Sequence, residues 1–365
     1  ADSADVVPGD CKADICDGAG NVIAQQVYDG DTDDGRECTS DSCFNGTPEH
    51  PKIGEFTACP VTADGVCDGL GSCITCLIGA TCFSDGSDGA FLATEDRTIA
   101  AGEYDFTSFA INSGVTVTVT GDAPLIVRTQ GATTIRGTLQ LSGARGGDGI
   151  TATSAGLGGL AGAGGAAGGA GGYDVLAVIP GTDGLGLGAG GGGVTLFSGA
   201  GAGHAEVGLA NALGGATPGV AYGDPMLSVL GGGSGGGGGS GGGAASCGAG
   251  GGGGGGGAVY FTSFGEFRVG DAGAIKANGG AGGSDGGGAC GGGGGGSGGA
   301  IWVSAIDLVN NGSISAVGGE GGTSATAEAL GGAGSPGRIR IDVVNAVGGG
   351  TVSPIAGHNG GAWYQ

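Results

Sequence analysis

The stretch CGAGGGGGGGGAVYFTSF, from Cys247 to Phe264, runs eight consecutive glycines into an apolar, aromatic segment that reads as a strand. Glycine makes up 101 of the 365 residues, with one methionine and 5% aromatics. Such a chain cannot build an ordinary large side-chain core, so a compact fold has to bury backbone. Buried backbone must find hydrogen-bond partners. A run of glycines is then either a flexible linker or a set of extended rods that approach each other closely because no Cβ intervenes. Extended helices of the polyproline-II type repeat every three residues and make no hydrogen bonds within themselves. Their polar groups point outward, which suits lateral pairing with other rods. Ordering free glycine costs more entropy than ordering any other residue. Rods pinned at their ends by strands lose less.

An internal repeat supports pinned rods. GGAVYFTSFGEFRVGDAGAIKANGGAGG and GGAIWVSAIDLVNNGSISAVGGEGG share an opening aliphatic and aromatic strand, a second apolar strand, a Gly-x-Ile strand and a glycine exit. A third copy, GSPGRIRIDVV, reads as truncated after its opening strand. IRGTLQLSGARGG is an earlier partial copy with the closing strand and the glycine exit. Repeats of this kind describe coils that bury one apolar face against the next. Flexible linkers have no reason to recur in register. Before the repeat, Val115, Val117 and Val119 alternate with threonines, which places them on one face of a strand.

Cysteines mark a different region. Nine of the eleven, Cys11, Cys16, Cys38, Cys43, Cys59, Cys67, Cys73, Cys76 and Cys82, crowd into an acidic, turn-rich segment at disulfide-like spacings. Nine is odd, so one thiol is free, or pairs with another chain, or reaches the distant Cys247 and Cys290. Those two lie on separate glycine segments, where a mutual disulfide would clamp the segments side by side. Cysteine usage points to an oxidising compartment. A chain that starts at Ala1 fits export with a removed signal peptide, and no run of about 18 apolar residues spans a membrane.

The net charge of −23 makes nucleic acid an unsuitable partner, because phosphate binding needs clustered Lys and Arg. Nineteen of the 34 acids precede residue 100, so the charge solubilises the cysteine-rich part most. Motifs for chemistry are poor. Gly232–Gly236, GGSGG, fits the G-x-S-x-G nucleophile pattern only as any Gly/Ser tract does, with no strand before it to form an elbow. His50, His204 and His358 lie far apart. Asp29, Asp31 and Asp33 in DGDTDDG alternate as in a calcium loop, but the glycine comes one position late and the closing glutamate is missing, so calcium is a weak candidate.

CDGAGNVIAQ, DDGRECTSDSC and GVCDGLGSCITC, followed by YGDPMLSVLGGGSGGGGG and GAGSPGRIRI, resemble secreted glycine-rich surface proteins of myxobacteria and related bacteria. The glycine region is similar in kind to polyglycine-II bundle proteins. The resemblance implies a cell-surface or extracellular role without established chemistry. A single cysteine module departs from the longer tandem series usual in that group.

The expected fold is all-β. A disulfide-rich acidic module covers 1–84, the β-rich start of a parallel solenoid 85–145, and a glycine-rich repeat region of polyglycine-II tracts and short strands 146–365. The expected function is that of a secreted, non-enzymatic structural subunit. It would self-assemble head to tail into a homopolymeric fibre or surface layer, with Trp363 and Tyr364 as docking residues and an intermolecular disulfide as one route. The alternative is an adhesin or an ice- or surface-binding module. No cofactor is expected beyond the weak calcium site.

Overall fold

The computed structural model describes residues 10–354 apart from 17–18, 20, 29–31, 55–56, 58, 60–64, 68–70, 72, 76–83, 152, 174–177, 195–196, 211–214, 243–246, 288–289 and 326–328. The chain divides into two compact units, Ala1–Phe83 and Ser84–Gln365. Among the described residues all regular structure is β, with no α-helix.

The first unit is built of three antiparallel pairs: β1 (Lys12–Cys16) with β2 (Val22–Val27), β3 (Ser42–Phe44) with β4 (Thr47–Glu49), and β5 (Gly65–Cys67) with β6 (Cys73–Thr75). Asn45 and Gly46 join β3 to β4 with φ of 49° and 74°, the positive values that a two-residue hairpin turn requires. Disulfides link Cys11 to Cys43, Cys38 to Cys67 and Cys59 to Cys73. The buried apolar residues described here are Cys11, Cys38 and Cys67, while every residue of β2 is exposed. Among the described residues crosslinks therefore stand in for a hydrophobic core, each contributing about 2–4 kcal/mol.

The second unit contains a thirteen-stranded parallel sheet. Its strands are β7 (Ala90–Ala93), β8 (Arg97–Phe106), β9 (Ser108–Ile111), β10 (Thr116–Thr129), β11 (Thr133–Ile135), β12 (Thr138–Gln140), β13 (Ala258–Ser263), β14 (Phe267–Val269), β15 (Ala274–Lys276), β16 (Ala300–Asn310), β17 (Ser313–Ser315), β18 (Arg338–Val347) and β19 (Thr351–Ser353). The register sorts them into three stacks. One runs β7, β9, β11, β14 and the second halves of β16 and β18. A second holds the first halves of β8 and β10, then β12, β15, β17 and β19. The third holds the second halves of β8 and β10, then β13 and the first halves of β16 and β18.

Side chains in register form apolar columns: Val117, Leu139, Ile275, Ile314; Leu125, Val259, Ile301, Ile339; and Val127, Phe261, Val303, Ile341. All twelve are buried in one cluster that also takes in Phe109 and Phe267. Alternation along each strand sends one face inward, as the Val-Thr pattern of β10 anticipates. On the other face Arg128 donates two hydrogen bonds to Asp105 and one to Glu103, which keeps its guanidinium charged. The third copy is not truncated after its opening strand. Thr351–Ser353 adds a closing strand in register with Ser313–Ser315, and the sequence hides it because a strand of only three residues after Gly348–Gly350 carries no periodicity.

From β12 onward the chain leaves the second stack, makes a glycine-rich excursion and re-enters at the third. The excursions cover 141–257, 277–299 and 316–337. Their extended segments hydrogen-bond laterally in a three-residue cycle. In the segment 249–257, Gly250, Gly253 and Gly256 N–H donate to Gly291, Gly294 and Ser297; Gly251, Gly254 and Gly257 donate to Gly147, Ala144 and Leu141; Gly252, Gly255 and Ala258 donate to Gly169, Ala166 and Ala163. Its carbonyls accept from 156–162, 233–239 and 280–286. The segments 232–241 and 291–299 likewise donate to three others in rotation and accept from three more.

These three inner segments coincide with the longest glycine runs in the sequence. A Cβ on Gly250, Gly251 or Gly252 would sit 1.9, 2.1 or 2.0 Å from the carbonyl oxygens of Gly283, Leu157 and Gly236. Every direction is occupied by backbone. Outer segments instead read Gly-Gly-x, as in Gly318-Gly319-Glu320-Gly321-Gly322-Thr323, with the third residue facing solvent. Cys247 and Cys290 are bonded to each other at the start of two inner segments and are buried.

Two outcomes follow. Gly253→Ala, whose Cβ would lie 1.9 Å from the Gly280 oxygen, destabilises the second unit by about 1–3 kcal/mol or more in urea unfolding, whereas Glu320→Ala on an outer segment stays within about 0.5 kcal/mol. Replacing Cys247 and Cys290 together by serine lowers stability by about 2–4 kcal/mol, read by the same unfolding midpoint.

Candidate functional site

Outer segments differ in what they show to solvent, and one face stands out. The segments 156–162, 166–172 and 181–185 lie side by side. Gly168 and Gly171 N–H donate to Gly159 and Gly156, and Leu185 and Thr182 N–H donate to Ala167 and Ala170, all at 2.9 Å. Antiparallel pairing therefore aligns Leu160, Ala167 and Leu185 in one cross-row and Leu157, Ala170 and Thr182 in the next. Leu157, Leu160 and Leu185 are 77%, 75% and 62% exposed. Rows repeat about every 9 Å along the segments, and neighbouring segments sit about 4.8 Å apart, as strands do. A ridge of Leu157 and Leu160 on one side and Thr182 with Leu185 on the other thus flank a floor of Ala167 and Ala170. Leu157 and Leu160 stand three residues apart at the solvent-facing position of their segment, where a side chain has room, and the segment 181–185 also exposes Thr182 and Asp183.

A second face, formed by 143–149, 279–285 and 317–323, carries polar groups that satisfy one another. Arg145 donates to Asp148 at 2.6 Å, Ser284 N–H donates to the same carboxylate at 2.7 Å, and the Ser284 and Thr323 hydroxyls lie 2.8 Å apart. The Arg145 contact holds Asp148 below the usual carboxylate range. A third face, 190–193, 199–203 and 331–337, is covered by the chain at 206–209 and 217–220 through bonds such as Leu209 N–H to Ala333 and Gly219 N–H to Gly201.

Sequence-derived candidates fall out variously. Cys11, Cys43, Cys38, Cys67, Cys59, Cys73, Cys247 and Cys290 are in disulfides. Cys16 lies in β1 with its side chain outside the described residues, as are Cys76 and Cys82 altogether. Asp29, Asp31, Trp363 and Tyr364 are also outside them. Asp33 is exposed and its Oδ1 accepts the Gly35 N–H, closing a local turn. Ser234 of GGSGG is fully buried; its hydroxyl donates to Tyr222 Oη at 3.1 Å and accepts the Gly188 N–H at 3.0 Å. His204, also buried, donates from Nδ1 to the Gly298 carbonyl at 2.7 Å and stacks on Tyr222. These side chains plug places where the backbone lattice is interrupted, and they do not form a nucleophile–base pair.

The leucine face escaped sequence reading. Its signal was the three-residue spacing of Leu157 and Leu160 between glycines, which can be recognised once the three-residue cycle is known. No known family model, curated protein or solved structure matches the chain.

Burial holds the His204 imidazole below its usual pKa, with the charge of Arg338 acting in the same direction and the Gly298 hydrogen bond opposing. The unfolded chain takes up a proton near pH 6.5 that the folded chain does not, so stability from this group is full above that pH and lost as pH falls toward the lower folded value. Thermal melts across pH 7.5 to 5 should show the stability gap between the native protein and His204→Gln narrowing as pH drops.

Proposed function

We propose that the chain is a secreted structural protein that self-associates into an extracellular fibre or surface layer. Its second unit is read as a parallel β-solenoid in which the turns at one corner are replaced by polyglycine-II helices. The three-stack register supports the solenoid, and the three-residue hydrogen-bond cycle supports the helices. Such a body is rigid along every direction in which backbone pairs with backbone, which suits a building block. Disulfides in the first unit and between Cys247 and Cys290 suit an oxidising exterior.

One observation carries the self-association: Leu157, Leu160 and Leu185 stand exposed in rows on a flat, hydrogen-bonded platform. Contiguous exposed apolar surface marks contact sites. The pattern is self-complementary, since a second copy turned by 180° and displaced by one segment lays its leucine ridge on the alanine floor, an isologous contact. The first rung of the sheet is less suited to end-to-end extension. Arg97, in register with the buried Val117 but itself exposed, places its guanidinium 4.8 Å from the Phe91 ring centre, and a charge over the end of the apolar stack discourages pairing there. The leucine face therefore pairs two copies side by side, and growth of such pairs into a fibre or layer uses a second contact elsewhere on the surface. The mutually satisfied polar face offers less to a glycan or crystal surface.

The charge of −23 opposes association, so added salt promotes it. Light scattering with increasing sodium chloride should report concentration-dependent dimers, reduced to monomer by Leu157→Ser with Leu160→Ser. A native protein that stays monomeric at all salt concentrations overturns the reading.

A further inference from the structure

The first unit contains a convergence of ligating groups separate from the leucine face. The side chains of Asp34, Asp41 and His50 bring one ligand atom each to within 4.8 Å of one another. His50 Nδ1 lies 3.0 Å from Asp41 Oδ1 and 3.9 Å from Asp34 Oδ2. Two ligands bound tetrahedrally to one zinc ion at about 2.0–2.1 Å stand about 3.4 Å apart, between these values.

The carboxylates are already oriented. Asp34 uses Oδ1 to accept from Arg36 N–H and the Thr39 hydroxyl, both at 2.9 Å, and so turns Oδ2 toward the imidazole. Asp41 uses Oδ2 to accept Asp34 N–H at 3.3 Å and turns Oδ1 the same way. Hydrogen bonds of this kind hold metal-binding side chains in their binding orientation. The backbone holds His50 in place: Ser40 N–H donates to Pro51, Ile53 N–H donates to Cys38, and Thr39 bridges Lys52. The Cys38–Cys67 and Cys11–Cys43 bonds anchor both sides of this loop pair. The three side chains are 14–24% exposed, which leaves a coordination position open to water.

We propose that Asp34 Oδ2, Asp41 Oδ1 and His50 Nδ1 form a site for a divalent transition-metal ion, with zinc as the best match. An imidazole nitrogen with two carboxylates suits zinc, whereas calcium takes six to eight oxygens. Binding displaces any proton on Nδ1 and joins the 34–41 loop to the end of the β3–β4 hairpin. The two cysteine-containing groupings nearby do not compete, since Cys38, Cys67, Cys59 and Cys73 are oxidised in disulfides.

The test uses the full chain with free thiols alkylated and no reductant present. Titration calorimetry with zinc chloride at about pH 7.5 should give a single site. His50→Gln and Asp41→Asn should each weaken it at least about tenfold, and calcium chloride should give no comparable heat. Zinc should also shift the ring resonances of His50 in the native protein, a readout that does not depend on the variants folding. Absence of both heat and ring shift overturns the proposal and leaves an imidazolium–carboxylate ion pair only. Zinc binding that survives both substitutions places the ion elsewhere and overturns it equally.

Discussion

Lateral hydrogen bonding between glycine backbones is the interaction on which the second unit depends. The N–H groups of the inner segments reach carbonyls on neighbouring segments at 2.7–3.2 Å, apart from Ser234 N–H, which donates to the Ser297 hydroxyl, and the Cβ positions of glycines such as Gly250 to Gly257 are filled by carbonyl oxygens of other segments. An ordinary interior gains stability by removing apolar side chains from water. Here the interior is mostly polar backbone, stable because nearly every group is paired, and the desolvation that would penalise an unpaired amide is avoided. Removing the hydrogen bonds or inserting a methyl group acts on the same contact.

Glycine segments cannot arrange this alone, because their ordering entropy is too large. The sheet supplies the fixed ends. Strands β12, β15 and β17 launch successive excursions one above the other, and β13, β16 and β18 receive them in register. Strand spacing of about 4.8 Å is thereby imposed on the segments, so sheet and glycine lattice share one repeat. The apolar columns within the sheet and the backbone lattice beside it stabilise each other. The first unit solves the same shortage of side-chain core differently, by covalent crosslinks.

Much of this was legible residue by residue. Val115, Val117 and Val119 announced an inward face, and the aligned Gly-Gly-Ala-Val-Tyr and Gly-Gly-Ala-Ile-Trp openings fall in register at Ala258–Ser263 and Ala300–Ala305. The closing strand Thr351–Ser353 was missed because three residues after a glycine triplet carry no periodicity of their own. Leu157, Leu160 and Leu185 went unread as a surface for another reason: they sit on different segments, and only the antiparallel pairing of those segments puts them on one plane. Asp34, Asp41 and His50 were likewise separated in sequence, while the alternating aspartates drew attention to the neighbouring Asp33 instead.

By itself the sequence determined which positions can be interior. An uninterrupted glycine run admits neighbours on all sides, and a Gly-Gly-x triplet leaves one side for solvent, because the presence or absence of Cβ is a local property. It also determined the repeat, since matching strands need matching apolar positions. What only the tertiary structure decided is which segments adjoin, and therefore which side chains share a face or a cluster. Backbone hydrogen bonds between glycines are chemically identical, so the sequence of a segment does not name its partner. The sheet's register does, by fixing where each segment begins and ends.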